Sequence, residues 1–131
     1  MKKILAILSI VLLSGCAGLT GLIPSFWDDN QSHRIVSVRL DIERLDCKAQ
    51  QRAQVTKIRD DLAWFRLYSE SKGGRQADVI ALTTPMTDTV EDWYKRVSLE
   101  GHKDNAIYCD LKKQVLQAQS ARAAKAVLGR F

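Results

Sequence analysis

The sequence predicts an all-α fold: a small antiparallel helical bundle or hairpin with one long helix. Two observations predict it. Between residues 35 and 118 apolar side chains recur at steps of three and four, the spacing of one helical face. Breakers are few, two prolines and seven glycines, and most fall between the periodic stretches. At 131 residues the chain has room for one small domain, not two. A domain of this size buries a modest share of its surface and often needs a staple.

The first element precedes that body. Lys2-Lys3 leads into an apolar run from Ile4 to Leu13, and Ser14-Gly15-Cys16 follows. A positive start, a short apolar run and small residues before a cut are the plan of a secretory signal. The run is too short to span a bilayer, which takes about 20 residues. Leu13-Ser14-Gly15-Cys16 resembles the lipobox of bacterial lipoproteins, read by signal peptidase II. The resemblance implies cleavage of residues 1–15 and acylation of Cys16, and it covers no more of the chain than that. Two or more acyl chains anchor a protein stably, where one binds marginally. Ala17 stands where inner-membrane lipoproteins of Gram-negative hosts carry Asp. The implied address is therefore the periplasmic face of the outer membrane.

Lipid on Cys16 leaves Cys47 and Cys109. In an oxidising compartment these two are expected to form one disulfide, free buried thiols or a bond to a partner being the alternatives. The closed loop is long, and its lost chain entropy is worth roughly 4 kcal/mol.

Residues 16–30 read as a lipid-anchored tether, punctuated by Gly18, Gly21 and Pro24, with Phe26-Trp27 placed either at the leaflet or over one end of the core. Residues 31–131 read as the helical domain. A long helix starts near Asn30 to Ser32. Ile35, Val38, Ile42, Leu45 and Ala49 form its first stripe, and Val55, Ile58, Leu62 and Phe65 form a second, turned around the axis. It stops before Gly73-Gly74. Forty residues is long for a globular helix, so a kink or break inside it is expected. Arg75 to Leu82 makes a short helix, and Thr84-Pro85 or Asp88 starts the next, with Val90, Trp93, Tyr94 and Val97 on one face and an end at Gly101. Asp104 or Asn105 caps the last helix, whose apolar face reads Ile107, Tyr108, Leu111, Val115 and Ala118. An antiparallel crossing at Cys47–Cys109 sets Leu45 near Leu111, Ile42 near Val115 and Val38 near Ala118. On the other side it sets Leu62 near Tyr94 and Ile58 near Val97. Apolar meets apolar on both sides of the bridge, as in an antiparallel bundle.

No catalytic set is legible. His33 and His102 stand apart, and Asp28-Asp29, Asp60-Asp61 and Glu91-Asp92 are neighbours whose side chains diverge on a helix. There is no P-loop, dinucleotide fingerprint or H-E-x-x-H. Cys47 and Cys109 lack metal-ligand spacing, so neither metal nor cofactor is expected. The formal charge is +5, and Lys2 and Lys3 precede Cys16, which leaves a balance two lower after cleavage. So mild a charge gives no reason to expect nucleic acid. The densest mix of aromatic and cationic groups runs from Trp64 to Gln76. Trp64, Arg66, Tyr68 and Arg75 are its candidate partner-binding residues, these types being favoured at binding hot spots. The function expected is a non-enzymatic, lipid-anchored envelope module that binds a protein partner. The alternatives are a lysis lipoprotein resembling the outer-membrane spanin subunits of phages, against which the scarcity of proline counts, and an enzyme with an unrecognised site.

Overall fold

A computed structural model describes residues 28–129, among which there are four α-helices and no strand. We number them α1 (Asp29–Glu43), α2 (Gln51–Ser71), α3 (Ala77–Val97) and α4 (Ala106–Leu128). Each packs on its neighbours in the chain, and α4 closes the ring on α1. The short connections make the order up-down-up-down. The signal stretch, Cys16 and most of the tether lie outside the described residues.

The segment read as one long helix is two antiparallel ones, so the expected break is present. It falls at residues 44–50, between the two apolar stripes. Ile35, Val38 and Ile42 are buried on α1, and Val55, Ile58, Leu62 and Phe65 on α2. The two stripes pointed different ways because they belong to separate helices facing one core. Leu45 is buried in the turn, whereas Ala49 is exposed there. Gln54 bridges the turn, donating to the Asp46 carbonyl at 3.0 Å and accepting from the Asp46 N–H at 2.9 Å. Asp28, not a residue between Asn30 and Ser32, caps α1, its Oδ1 accepting from the Gln31 N–H at 3.0 Å.

The break expected at Thr84-Pro85 does not occur, and α3 runs straight through Pro85. An interior proline costs a backbone hydrogen bond and a steric clash, about 3 kcal/mol. Pro85 is exposed, and so is Ala81, whose carbonyl loses its i+4 donor to the proline and faces water instead. The Thr83 and Thr84 hydroxyls both donate to the Ile80 carbonyl, at 3.1 and 2.9 Å. Meanwhile Val79, Met86, Val90, Trp93 and Val97 bury one continuous stripe. That burial, at about 25 cal/mol per Å², outweighs the proline.

On α4 the face differs from the expected one. Ile107, Leu111 and Val115 are exposed, as is Ala118, and Tyr108 is half-buried. The buried positions are Cys109, Leu116, Ser120, Ala123, Ala124 and Val127, roughly the opposite side of the helix at 100° per residue. The level along the axis is nearly as expected: Lys113 Nζ donates to the Leu45 carbonyl and Gln117 Nε2 to Glu43, both at 2.7 Å. The apolar pairs expected of Leu45, Ile42 and Val38 therefore do not form. Small side chains, Ser120, Ala123 and Ala124, line the buried face because they let α4 approach its neighbours closely.

Cys47, in the turn between α1 and α2, is joined to Cys109 in the first turn of α4, with Cα atoms 5.6 Å apart and a sequence separation of 62. Asn105 caps α4, accepting from the Tyr108 N–H at 3.0 Å. Asp104 instead reaches across to α2 and accepts from the Gln51 N–H at 3.1 Å, while Gln51 Nε2 donates to the Asn105 carbonyl at 3.2 Å. At the opposite end Gln31 is buried between helices, Nε2 donating to Ser69 Oγ at 3.0 Å and to Gln76 Oε1 at 2.9 Å.

Two outcomes follow from this packing. Reduction of the disulfide should lower the melting temperature by several degrees or more, since a loop of this length contributes up to about 4 kcal/mol. Thermal denaturation with and without reductant reads it, and a Cys47→Ala/Cys109→Ala double variant should melt low under both conditions. Equal melting of oxidised and reduced wild type would remove the clamp's energetic role. Gln31→Leu should cost about 1–3 kcal/mol, because the Gln76 carbonyl stays buried without its donor. Urea unfolding should show a lower midpoint at unchanged slope.

Candidate functional site

The aromatic and cationic residues between α1 and α2 are brought together, and they hold each other. The Trp64 and Tyr68 rings stack at 4.9 Å with planes 7° apart. The Arg34 guanidinium lies over Trp64 at 4.4 Å while bonding Asp61. Lys72 sits 5.1 Å from the Tyr68 ring centre and pairs with Asp28 at 2.7 Å. The Tyr68 hydroxyl donates to Asp28 Oδ2 at 3.2 Å and accepts from Asn30 Nδ2 at 2.9 Å. Trp64 and Tyr68 thus lock the start of α1 against the end of α2. Arg66 pairs with Glu70 on the outer surface at 2.8 Å. Arg75 lies in the turn Gly74–Gln76, and its side chain is outside the described set.

Asp28 is the centre of this cluster, and its carboxylate is nearly covered. Burial pushes it up. The Lys72 ammonium, the Gln31 N–H and the Tyr68 hydroxyl outweigh that and hold it below the ordinary carboxylate value. The sequence pointed to Asn30–Ser32 for the cap. The missed signal is Asp28 itself, a strong cap type three residues before a residue with a free N–H.

The adjacent carboxylates serve different neighbours and form no dyad. Glu91 pairs with Arg59 on α2 at 2.7 Å, and Asp92 with Lys112 on α4 at 2.6 Å. The Lys112 contact holds Asp92 below its ordinary value. Asp61 receives Arg34 and Lys57, and Lys57 also reaches Asp41 on α1. Apart from Lys57–Asp61, which lies within α2, each is a clip between helices, worth little singly at such exposure.

His33 is exposed on α1. His102 borders a polar cleft of about 490 Å³ at the disulfide end, lined by Arg52, Ser98, Glu100 and Asp104 among others. Its Nε2 lies 3.7 Å from Asp104 Oδ1, too far for a hydrogen bond. Among the described residues no three His, Cys, Asp or Glu side chains gather as a metal needs.

The outer face of α4 is a different kind of surface. Ile107, Leu111 and Val115 are 75%, 58% and 46% exposed, one turn apart, and Ala118 continues them. On α1, Val36 and Leu40 are also exposed, at 48% and 44%. Scattered exposed apolar residues need no explanation, whereas these stand in one row. This is the face that hydrophobic periodicity singled out as core. No protein-family model, curated protein or solved structure matches the chain.

The depressed Asp28 pKa has a pH consequence. A carboxylate whose folded value is lowered contributes stability that is fully present above its unfolded value, 3.8, and is lost as pH falls through the folded value. Asp28→Asn should therefore lower the melting temperature near neutrality, and the gap to wild type should close as the pH drops below 3.8. Melting curves across that window test it. A gap independent of pH would assign the effect to the cap's shape rather than its charge.

Proposed function

We propose that this chain is a lipid-anchored, non-enzymatic module of the bacterial cell envelope, whose helical body binds protein. The observation that carries the binding half is the apolar row on α4, with Val36 and Leu40 also exposed on the neighbouring α1. A surface of this kind is costly to leave wet and is what a helical partner covers. The anchoring half rests on Leu13-Ser14-Gly15-Cys16, with the Cys47–Cys109 bond supporting an oxidising compartment. No helix among the described residues is long and apolar enough to cross a membrane. In this reading acyl chains on Cys16 attach the chain to the membrane, and Asp28 is where the tether meets the bundle. The ion pairs of the bundle hold the helices rather than a substrate.

Two experiments test the halves. Metabolic labelling with a palmitate analogue should mark the wild type and leave Cys16→Ser unlabelled as uncleaved precursor. Equal label on both would end the lipoprotein reading. A photo-crosslinking residue at Leu111 of the full chain in cells should give a protein adduct, whereas one at exposed Asp60 on α2 should not. Absence of any adduct from Leu111 would end the binding-module reading.

A further inference from the structure

We infer that the occupant of the α4 face is a second copy of this chain. The inference rests on the binding-module reading and names its partner.

The starting point is that α4 is apolar on both sides. Inside lie Cys109, Leu116, Ala123, Ala124 and Val127, and outside lie Ile107, Leu111, Val115 and Ala118. The outer strip is bounded by Asp110, Arg122 and Lys125, and its large aliphatic side chains face away from the bundle's own core. The outer spacing of four, four and three is also that of a helix–helix seam.

The surface is wide enough. Glu43–Gln117 and Leu45–Lys113 fix α1 antiparallel beside α4. Continued along the axis, that register brings Leu40 level with Ala118 and Ala121, and Val36 one turn further. Two helices 8–10 Å apart present a face roughly 20 Å wide, and α4 runs about 34 Å. With α1 only 15 residues long, about 22 Å, and each helix presenting a strip about 10 Å wide, the two together project about 560 Å², which approaches the roughly 800 Å² per partner of a standard interface.

The surface also suits itself. A two-fold contact places the same patch against its twin, so the patch must offer both protrusions and recesses. Leu111, Val115 and Leu40 protrude, while Ala118 and the half-buried Ala121 leave recesses beside them. The middle of the row carries no charge: between Leu111 and Ala118 the outward positions are Gln114 and Val115. Arg122 and Lys125 stand exposed beyond one end and Asp110 beside the other. On α1, Glu43 stands exposed on Gln117 and Arg39 is exposed beside Leu40, so the charge-free strip is the α4 row itself, and a second copy seated along it buries no unpaired charge there.

The tether does not replace it. The twelve residues Cys16–Trp27 span at most about 40 Å. They join the bundle at Asp28, the end where α4 finishes, whereas Leu111 and Ile107 lie toward the other end. If Cys16 is held in a leaflet, that length is spent reaching the membrane.

Analytical ultracentrifugation of the purified full chain in detergent should show two chains per particle. Leu111→Glu should shift it to one chain, with the helical circular dichroism and the Cys47–Cys109 bond retained, because Leu111 is outside the core. Leu67→Glu, at another exposed apolar position, should remain at two. In cells, the Leu111 adduct should have twice the mass of the chain. A wild type that sediments as one chain at tens of micromolar, or a Leu111→Glu variant that still pairs, overturns the inference. So does a Leu111 adduct of a different mass, which leaves the binding-module reading standing. No adduct at all removes both.

Discussion

The fold depends on a clamp at one end of the bundle. Three of the four described helices are tied together there, and the covalent bond from Cys47 to Cys109 joins the α1–α2 turn to the start of α4. Around it the main chain is cross-tied: Asp104 takes the Gln51 N–H, Gln51 gives to the Asn105 carbonyl, and Lys113 gives to the Leu45 carbonyl. The Gln51 N–H and the Leu45 carbonyl are groups that a helix end leaves without a partner of its own, and here each is satisfied by the neighbouring hairpin. The α1–α2 hairpin and the α3–α4 hairpin therefore cannot slide past one another without breaking both sets.

The far end is held by polar groups, which fix geometry more than they add stability. Gln31 uses both amide hydrogens, on Ser69 and Gln76, and so ties α1 to the end of α2 and the start of α3. An apolar side chain there would fill the space without fixing the angle. Just outside it, Asp28 joins the α1 cap to Lys72 and Tyr68. The point where the preceding segment enters is thereby rigid. In the proposed anchored state, this end would transmit any pull on the tether to α2 as well as to α1.

Much of this was legible because the signals were large side chains at regular spacing. Ile35, Val38 and Ile42, then Val55, Ile58, Leu62 and Phe65, named the cores of α1 and α2 in advance. Cys47–Cys109 followed from having one pair left for an oxidising compartment. Two features were not legible, for different reasons. Pro85 reads as a helix start because local propensity favours it, but tertiary burial of Val79 and Met86 on the same helix overrides that preference. On α4, periodicity finds the larger apolar residues, and the core used the smaller ones. The cross-helix partners of Asp28, Gln31 and Asp104 were beyond reach altogether, since each is set by elements 38 to 53 residues away in sequence.

That reversal on α4 is the link between the fold and its proposed use. The disulfide draws the start of α4 in toward the α1–α2 turn, and close approach along the rest of the helix selects alanine and serine on the inner side. Leu116 and Val127 supply the inner side with its larger apolar groups, so Ile107, Leu111 and Val115 are not needed there. A monomer gains little from the exposed part of these side chains: at 46–75% exposure each forgoes about 1–2 kcal/mol of available burial. Lysine or glutamate at these positions would keep the helix equally well and remain soluble. Their presence in a row, on the one helix with little space left inside, is therefore economical only if a second surface meets them. The same clamp that gives the bundle its rigidity gives that surface a fixed shape, and a preformed apolar face loses little entropy when it is covered.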